Sequence, residues 1–413
     1  MSAVSQPPLQ GVPQPDEEWP SALRLLLGIE AGGLLTAVAD AAGGTLSSWR
    51  PRQVNHQPDR STIVQYRANV DWRSGDTTSE TFVAASGDRI PAGGAAVFED
   101  GSNRVAVWRW PNDPFLPGLA DALDPTKVAS LLDELGIDGG ALQLRTRAYR
   151  PGRRAVVEAT GRRGRLFLKV VRPTKVEALH AIHRCLAPHV PVPDSLGWSK
   201  DGVVVLPARP GRTLRHALRS SQQPPPPPHA IVGLLDRLPA ELAEHAPRRG
   251  LLSSAEHHAS VIAATVPNVR GRLEDLLDSL RSRISADPGG LSPVHGDLYE
   301  AQLLVDRGRI TGLLDVDTAG AGFRIDDLAN FCAHLSVLAM VSDRPKLIKR
   351  YGAELLAHAE RYHPPAELRP RIAAAVVGLA TGPFRVLETR WAEKTLRRLE
   401  LAGEWLDGAN TDR

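Results

Sequence analysis

At 413 residues the chain is longer than one ordinary domain requires, and its formal charge of +3 is dispersed rather than gathered into Lys/Arg tracts with aromatics, which removes the case for nucleic-acid binding. Its two cysteines, Cys185 and Cys332, lie in helical apolar patterns without metal spacing, so they read as buried thiols and exclude a disulfide framework. No basic and apolar leader opens the chain and no apolar run reaches spanning length, so a cytoplasmic protein with no membrane partner is expected.

Residues 1 to 18 are rich in Pro, Gln and Ser and are expected to form a disordered tail. Beyond it, Gln53-Val-Asn-His-Gln-Pro58-Asp-Arg-Ser-Thr-Ile-Val-Gln reads as strand, turn, strand, and the apolar run Thr81-Phe-Val-Ala84-Ala follows. The same order returns at Arg147-Ala-Tyr-Arg-Pro151-Gly152-Arg153-Arg154-Ala-Val-Val-Glu and Leu166-Phe-Leu-Lys169-Val, with Ala84 standing where the second unit has Lys169. Duplication and chance likeness of two hairpins both account for the parallel. The Pro-Gly turn offers amides, with Arg153 or Arg154 beside them, that suit phosphate oxygens; it serves equally as a plain connection.

The chain has seven Lys against forty-three Arg, yet the strand at 166–171 carries Lys169 in mid-run. A lysine flanked by apolar residues on a strand is costly unless its ammonium meets an anion. The helix that follows, from Thr174, packs through Val176, Leu179, Ile182, His183 and Leu186. Val203-Val-Val-Leu206-Pro207-Ala208 is a buried-looking strand running into an extended segment. Helical spacing then recurs near 230 to 247, 255 to 284, 327 to 341, 345 to 361, 366 to 380 and 384 to 406. Five prolines at 224 to 228 interrupt it as an extended surface loop, either a spacer or a peptide-docking tract.

His295-Gly-Asp297-Leu-Tyr-Glu-Ala-Gln302 precedes two short apolar runs separated by Asp306-Arg307-Gly308, a hairpin turn signal. Folding about that turn sets residues 302 and 313 opposite, so Gln302 and Asp315 converge with Asp297 at one hairpin mouth. Phosphoryl transfer needs a carboxylate to orient and deprotonate a hydroxyl, and oxygen ligands for Mg2+; these three residues supply that set. Only about ten residues separate Asp315 from Asp326-Asp327, too few for a peptide-docking loop, which points to a small hydroxyl acceptor. Asp317 is open between metal support, acceptor contact and a turn role. Near the end, Glu388 and Trp391 offer an aromatic face with carboxylates that suits an amino sugar, or equally an ordinary packed stripe.

His-Gly-Asp, a ligand five residues later and Leu314-Asp315 on the next strand resemble the protein-kinase-like small-molecule kinases, the group of aminoglycoside phosphotransferases, choline kinases, maltokinases and actinobacterial glucosamine kinases. The resemblance implies an α+β, bilobal protein-kinase-like fold: residues 126–209 as β-rich N-lobe and hinge, 210–413 as helical C-lobe, and 19–125 as an N-terminal cap domain. It implies ATP and Mg2+ as cofactors, Asp297 as catalytic base, and Gln302 and Asp315 as metal ligands, with Gln302 where most members carry Asn. Lys169 would hold nucleotide phosphates and be positioned by Glu177. Gly152 and Arg153 would cover the phosphates, Leu206 and Ala208 would meet the adenine edge, and His295 and Asp327 would brace the loop. The cap and Gln302 lean toward a sugar or amino sugar acceptor. An antibiotic acceptor, or a silent nucleotide-binding regulator, are the alternatives.

Overall fold

The computed structural model describes residues 17–101, 103–220, 223–244, 250–286 and 289–408. The tail expected at 1 to 18 falls outside them except for its last two residues. Two five-stranded antiparallel sheets carry the first half of the chain. The first is built from β1 (Gly44–Gln57), β2 (Ser61–Trp72), β3 (Thr77–Gly87), β4 (Ala96–Asp100) and β5 (Asn103–Arg109), in the order β1-β2-β3-β5-β4. The second uses β6 (Gln143–Arg150), β7 (Arg154–Gly161), β8 (Gly164–Val171), β9 (Gly197–Trp198) and β10 (Val203–Pro207), in the order β6-β7-β8-β10-β9. The two orders are the same, and so are the opening turns.

Pro58-Asp59-Arg60 and Pro151-Gly152-Arg153 each put the middle residue in the left-handed region, at φ 57° and 64°. Each is closed by the third residue's amide, Arg60 to the Gln57 carbonyl at 3.1 Å and Arg153 to the Arg150 carbonyl at 3.0 Å. Gly tolerates that φ without strain, and Asp is among the few side chains that visit it. Counted from the turns, Ile63 pairs with Ala85 and Val156 with Lys169, so Ala85 rather than Ala84 is level with the lysine. The linear comparison slipped by one residue because the register is set by the turn and not by where the apolar run begins.

The core does not divide at the expected cap boundary. One apolar cluster runs from Trp19, Leu23, Tyr66 and Phe82 to Phe331, Trp391 and Leu399. Trp19 meets Phe384 at 5.9 Å and Trp391 at 6.2 Å between ring centres, and its indole N–H donates to the Thr265 carbonyl at 3.1 Å. A second cluster fills the other face of the second sheet with Leu116, Leu119, Val128 and Leu132. Among the described residues no single helix is long and apolar enough to cross a membrane. The bent pair Ser21–Leu27 and Ala31–Ala41 passes on length and composition only, and its Leu23, Leu26 and Leu35 are buried in the core.

Three expected helices differ. The helix expected at 255 to 284 is two, Leu251–Thr265 and Arg270–Arg283, because Pro267 lacks the N–H that would continue the first. The one expected at 384 to 406 begins only at Trp391, since Leu387 at φ 50° and Arg390 at φ 58° leave helical space; Gly382–Arg385 is a separate short turn. His229–Leu235 stops well before 247. The proline tract is extended, but Pro226 is buried and its carbonyl accepts from the Tyr351 hydroxyl at 2.9 Å.

Candidate active site

The hairpin read from the sequence is present as Leu303–Asp306 and Arg309–Leu313, with Arg307 and Gly308 both at positive φ in the turn, as a two-residue hairpin demands. A bulge between Leu304 and Val305 moves the expected register by one residue, so Leu313 pairs with Leu303 rather than lying opposite Gln302, and the Leu314 amide donates to the Gln302 carbonyl at 2.8 Å. This sets Gln302 beside Asp315, with the amide nitrogen 3.2 Å from Asp315 Oδ2. Asp315 itself is left-handed, at φ 58°, where a short polar side chain is tolerated.

His295 ties this mouth to the loop that carries Asp297. Its Nε2 lies 2.9 Å from the Leu314 carbonyl, and its Nδ1 accepts from the Asp297 amide at 3.3 Å, which fixes the proton on Nε2. Asp327, 2% exposed, accepts from the amides of His295 at 2.7 Å and Gly296 at 2.8 Å. Both residues therefore brace the loop. Asp297 lines a cleft of 400 Å³ together with Arg153, His257, Phe323 and Asn330.

Lys169, 6% exposed on β8, satisfies the expectation that a buried ammonium must meet an anion. It reaches Asp315 Oδ1 at 2.9 Å and also contacts Asp317. Arg154 closes on Asp315 in bidentate fashion, with a second guanidinium nitrogen 2.7 Å from Oδ2, and lies 3.2 Å from Asp317. Burial works to raise the Asp315 carboxyl, but the Lys169 and Arg154 charges overcome it and hold the group well below the usual carboxylate range.

Several expected site residues stand elsewhere. Glu177 is exposed, one position round the helix Pro173–Leu186 from the packed Val176; the buried face carries His183, which feels the Lys169 and Asp317 charges. The ion pairs of Lys169 are with Asp315 and Asp317 instead. Gly152 is buried, and its amide donates to Asp113 at 2.7 Å while its carbonyl accepts from Arg172, so the turn offers no spare amide there. The Ala208 amide donates to the Arg165 carbonyl at 3.0 Å rather than facing a base edge; Leu206 is buried with Val171, Val176 and Leu179. Asp317 faces Lys169 and Arg154 rather than the cleft of Asp297. Trp391 is packed between Trp19 and Phe384, and Glu388 pairs with Lys394 at 2.7 Å, so neither forms an acceptor face. Arg153 alone of the turn residues is exposed to the cleft.

Arg154, Asp113 and Arg385 are the residues that sequence reasoning undervalued. Arg154 was one of two equivalent arginines in a turn. Asp113 also accepts from the Tyr149 hydroxyl at 2.8 Å, and it lies 39 residues from the glycine it holds, with no local pattern to reveal it. The Gln302 amide oxygen and the carboxylates of Asp315 and the neighbouring Asp317 are ligand types that fit Mg2+, although Gln302 here turns its amide nitrogen toward Asp315 and its amide would have to flip. The two cations closing on these carboxylates mark them as a site that needs positive charge. Among the described residues no three His, Cys, Asp or Glu converge on one point.

A family model described as the phosphotransferase enzyme family matches residues 147–368. No curated protein matches the chain in sequence. Among solved structures, a candidate aminoglycoside phosphotransferase from Ralstonia eutropha is similar at 13% identity, covering 70% of this chain and 98% of its own, with a TM-score of 0.50. A macrolide 2′-phosphotransferase from Brachybacterium faecium shares 22% identity over 67% of this chain and 97% of its own, with a TM-score of 0.42. A choline kinase from Cryptosporidium parvum shares 11% over 66% and 90%, with a TM-score of 0.45.

Proposed function

We propose, from the premise that this chain belongs to the phosphotransferase enzyme family, that it moves the terminal phosphoryl group of ATP to a hydroxyl of a small molecule of the sugar class. The observation that carries the reading is the convergence, from two distant parts of the chain, of Lys169 with the stretch 295–315 that carries the Asp297 loop and the Gln302–Asp315 pair, with Asp315 2.9 Å from Lys169. Asp297 orients the acceptor hydroxyl and takes its proton. Lys169 and Arg154 are already gathered where phosphate charge would lie. Gln302 and Asp315 would hold Mg2+, with Asp317 in support, and the ion when bound neutralises phosphate charge. His295 and Asp327 hold the Asp297 loop in register with the hairpin mouth.

Residues 19–125 form, on this reading, a cap derived from a second copy of the N-lobe; 126–209 are the N-lobe and hinge, and 210–413 the C-lobe. The shared strand order and the matched Pro-x-Arg turns support duplication over chance. The first sheet has no counterpart of Lys169, since Ala85 is level with it. Trp391 and Glu388 are committed elsewhere and lend no support to an amino sugar; the cap and Gln302 remain as support for the sugar class. The test is coupled ADP release by the purified chain with Mg2+ across sugars, sugar acids, amino sugars, aminoglycosides, macrolides and choline. A sugar-class compound should raise ADP release above the acceptor-free rate. No rise with any acceptor, or a rise insensitive to chelator, sinks the reading.

A further inference from the structure

Three arginines beside Asp297 have no part in that reading. Arg150 and Arg153 flank the Pro151-Gly152 turn, and Arg385 ends the short helix Gly382–Arg385. With Gln53, Asn55 and Gln65 of β1 and β2 they line a recess where the first sheet meets the turn and the C-lobe. None of the described residues lining it is acidic, and among the described residues none of the three arginines forms an ion pair, whereas Arg154, Arg215 and Arg371 do. Burial and the charges of Arg150 and Arg153 push the Arg385 guanidinium down; the Asp297 charge acts the other way. Like charges gathered in one place repel, and a bound anion relieves that cost.

The size of the recess narrows what enters it. Its free volume is 20 Å³, room for about one oxygen-sized group. Arg153 also lines the 400 Å³ cleft of Asp297, so recess and cleft adjoin. We propose that the recess is an oxyanion subsite of the acceptor site, and that the acceptor is a hydroxyl compound carrying a carboxylate or phosphate group, a sugar acid or sugar phosphate. The ring would sit in the cleft with its hydroxyl at Asp297, one oxygen of its charged end entering the recess and the rest of that group standing at the mouth beside Arg153. The carboxamides of Gln53, Asn55 and Gln65 make the first sheet part of the site. Amino sugars and aminoglycosides carry the wrong sign of charge.

This rests on the phosphotransferase reading, so the test separates binding from turnover. Inorganic phosphate is titrated calorimetrically into the full chain saturated with Mg2+ and the β,γ-imido analogue of ATP. Arg385→Gln and Arg150→Gln should each weaken phosphate by about tenfold or more, as loss of a charge-assisted contact does, with Arg385→Lys recovering part. Analogue affinity should stay within about twofold, since the subsite lies on the acceptor side. In turnover, gluconate or glucose 6-phosphate should exceed glucose and glucosamine, and Arg385→Gln should erase the preference. Unchanged phosphate affinity in both variants, or a loss that falls on the ATP analogue instead, overturns the proposal, as does a preference for glucosamine. Arginine-dependent phosphate binding with no ADP release from any acceptor would uphold the anion subsite and bring down the phosphotransferase reading alone.

Discussion

Replacing Asp315 by Asn removes the charge on which Lys169 and Arg154 both close. The Lys169 ammonium, 2.9 Å away, belongs to a residue only 6% exposed. Removing one partner of such a buried pair costs ~3–5 kcal/mol. Asp317 remains to hold both cations, which favours the lower end, ~3 kcal/mol. At ~2.1 cal/mol/K per residue, 413 residues give an unfolding entropy of ~0.9 kcal/mol/K, so the melting temperature should fall by ~3–4 °C. The pH dependence follows from the depressed carboxyl. Its contribution is complete above the unfolded pKa of ~3.9 and is lost as pH falls through the lower folded value. The gap between wild type and Asp315→Asn should thus be constant from about pH 5 to 8 and close below about pH 4. Scanning calorimetry across that range measures it, alongside Mg2+-dependent ADP release, which should drop ~10²-fold or more. No gap at neutral pH, or one that persists to the acid limit, would refute the ion-pair argument; undiminished turnover would refute the metal role.

Asp297→Asn should keep nucleotide affinity within a few-fold by calorimetry yet lose ~10²-fold or more in turnover, as a lost general base does; a variant that loses affinity and keeps turnover reverses the roles. Trp391→Ala should cost ~3–5 kcal/mol, near ~3–6 °C in melting temperature, with KM for the acceptor unchanged. A raised KM in a fully stable variant would return Trp391 to the acceptor site. His56 and His183 are pushed down to about 4, chiefly by burial. Their folded pKa values lie below the ordinary ~6.5, so stability should fall as pH drops from about 6.5 toward 4, by ~1.4 kcal/mol per unit for each. Urea unfolding at about pH 7 and pH 5 should differ by ~2 kcal/mol less in His56→Gln than in wild type; equal differences would mean the ring is protonated in the fold.

Local physics made part of the site legible in advance. The Asp306-Arg307-Gly308 turn fixes a two-residue hairpin wherever the rest of the chain goes, and it brings Gln302 to the neighbourhood of Asp315; the bulge at Leu304–Val305, which moves the pairing by one residue, is not written in the turn. A lysine in an apolar strand has to find an anion, and Lys169 does. The identity of that anion was decided only when the sheet closed over the hairpin: Asp315 lies 146 residues from Lys169 and 161 from Arg154. Glu177, near in sequence, lost to it because the helix turns that position outward. Periodicity gave Trp391 an apolar stripe without saying what would cover it, and the segment just before the first helix covered it with Trp19. The gathering of Arg150, Arg153 and Arg385 has no sequence signal at all, since charge proximity between a turn and a distant helix end depends on how whole lobes dock, while turn chemistry and strand burial depend only on neighbours within a few residues.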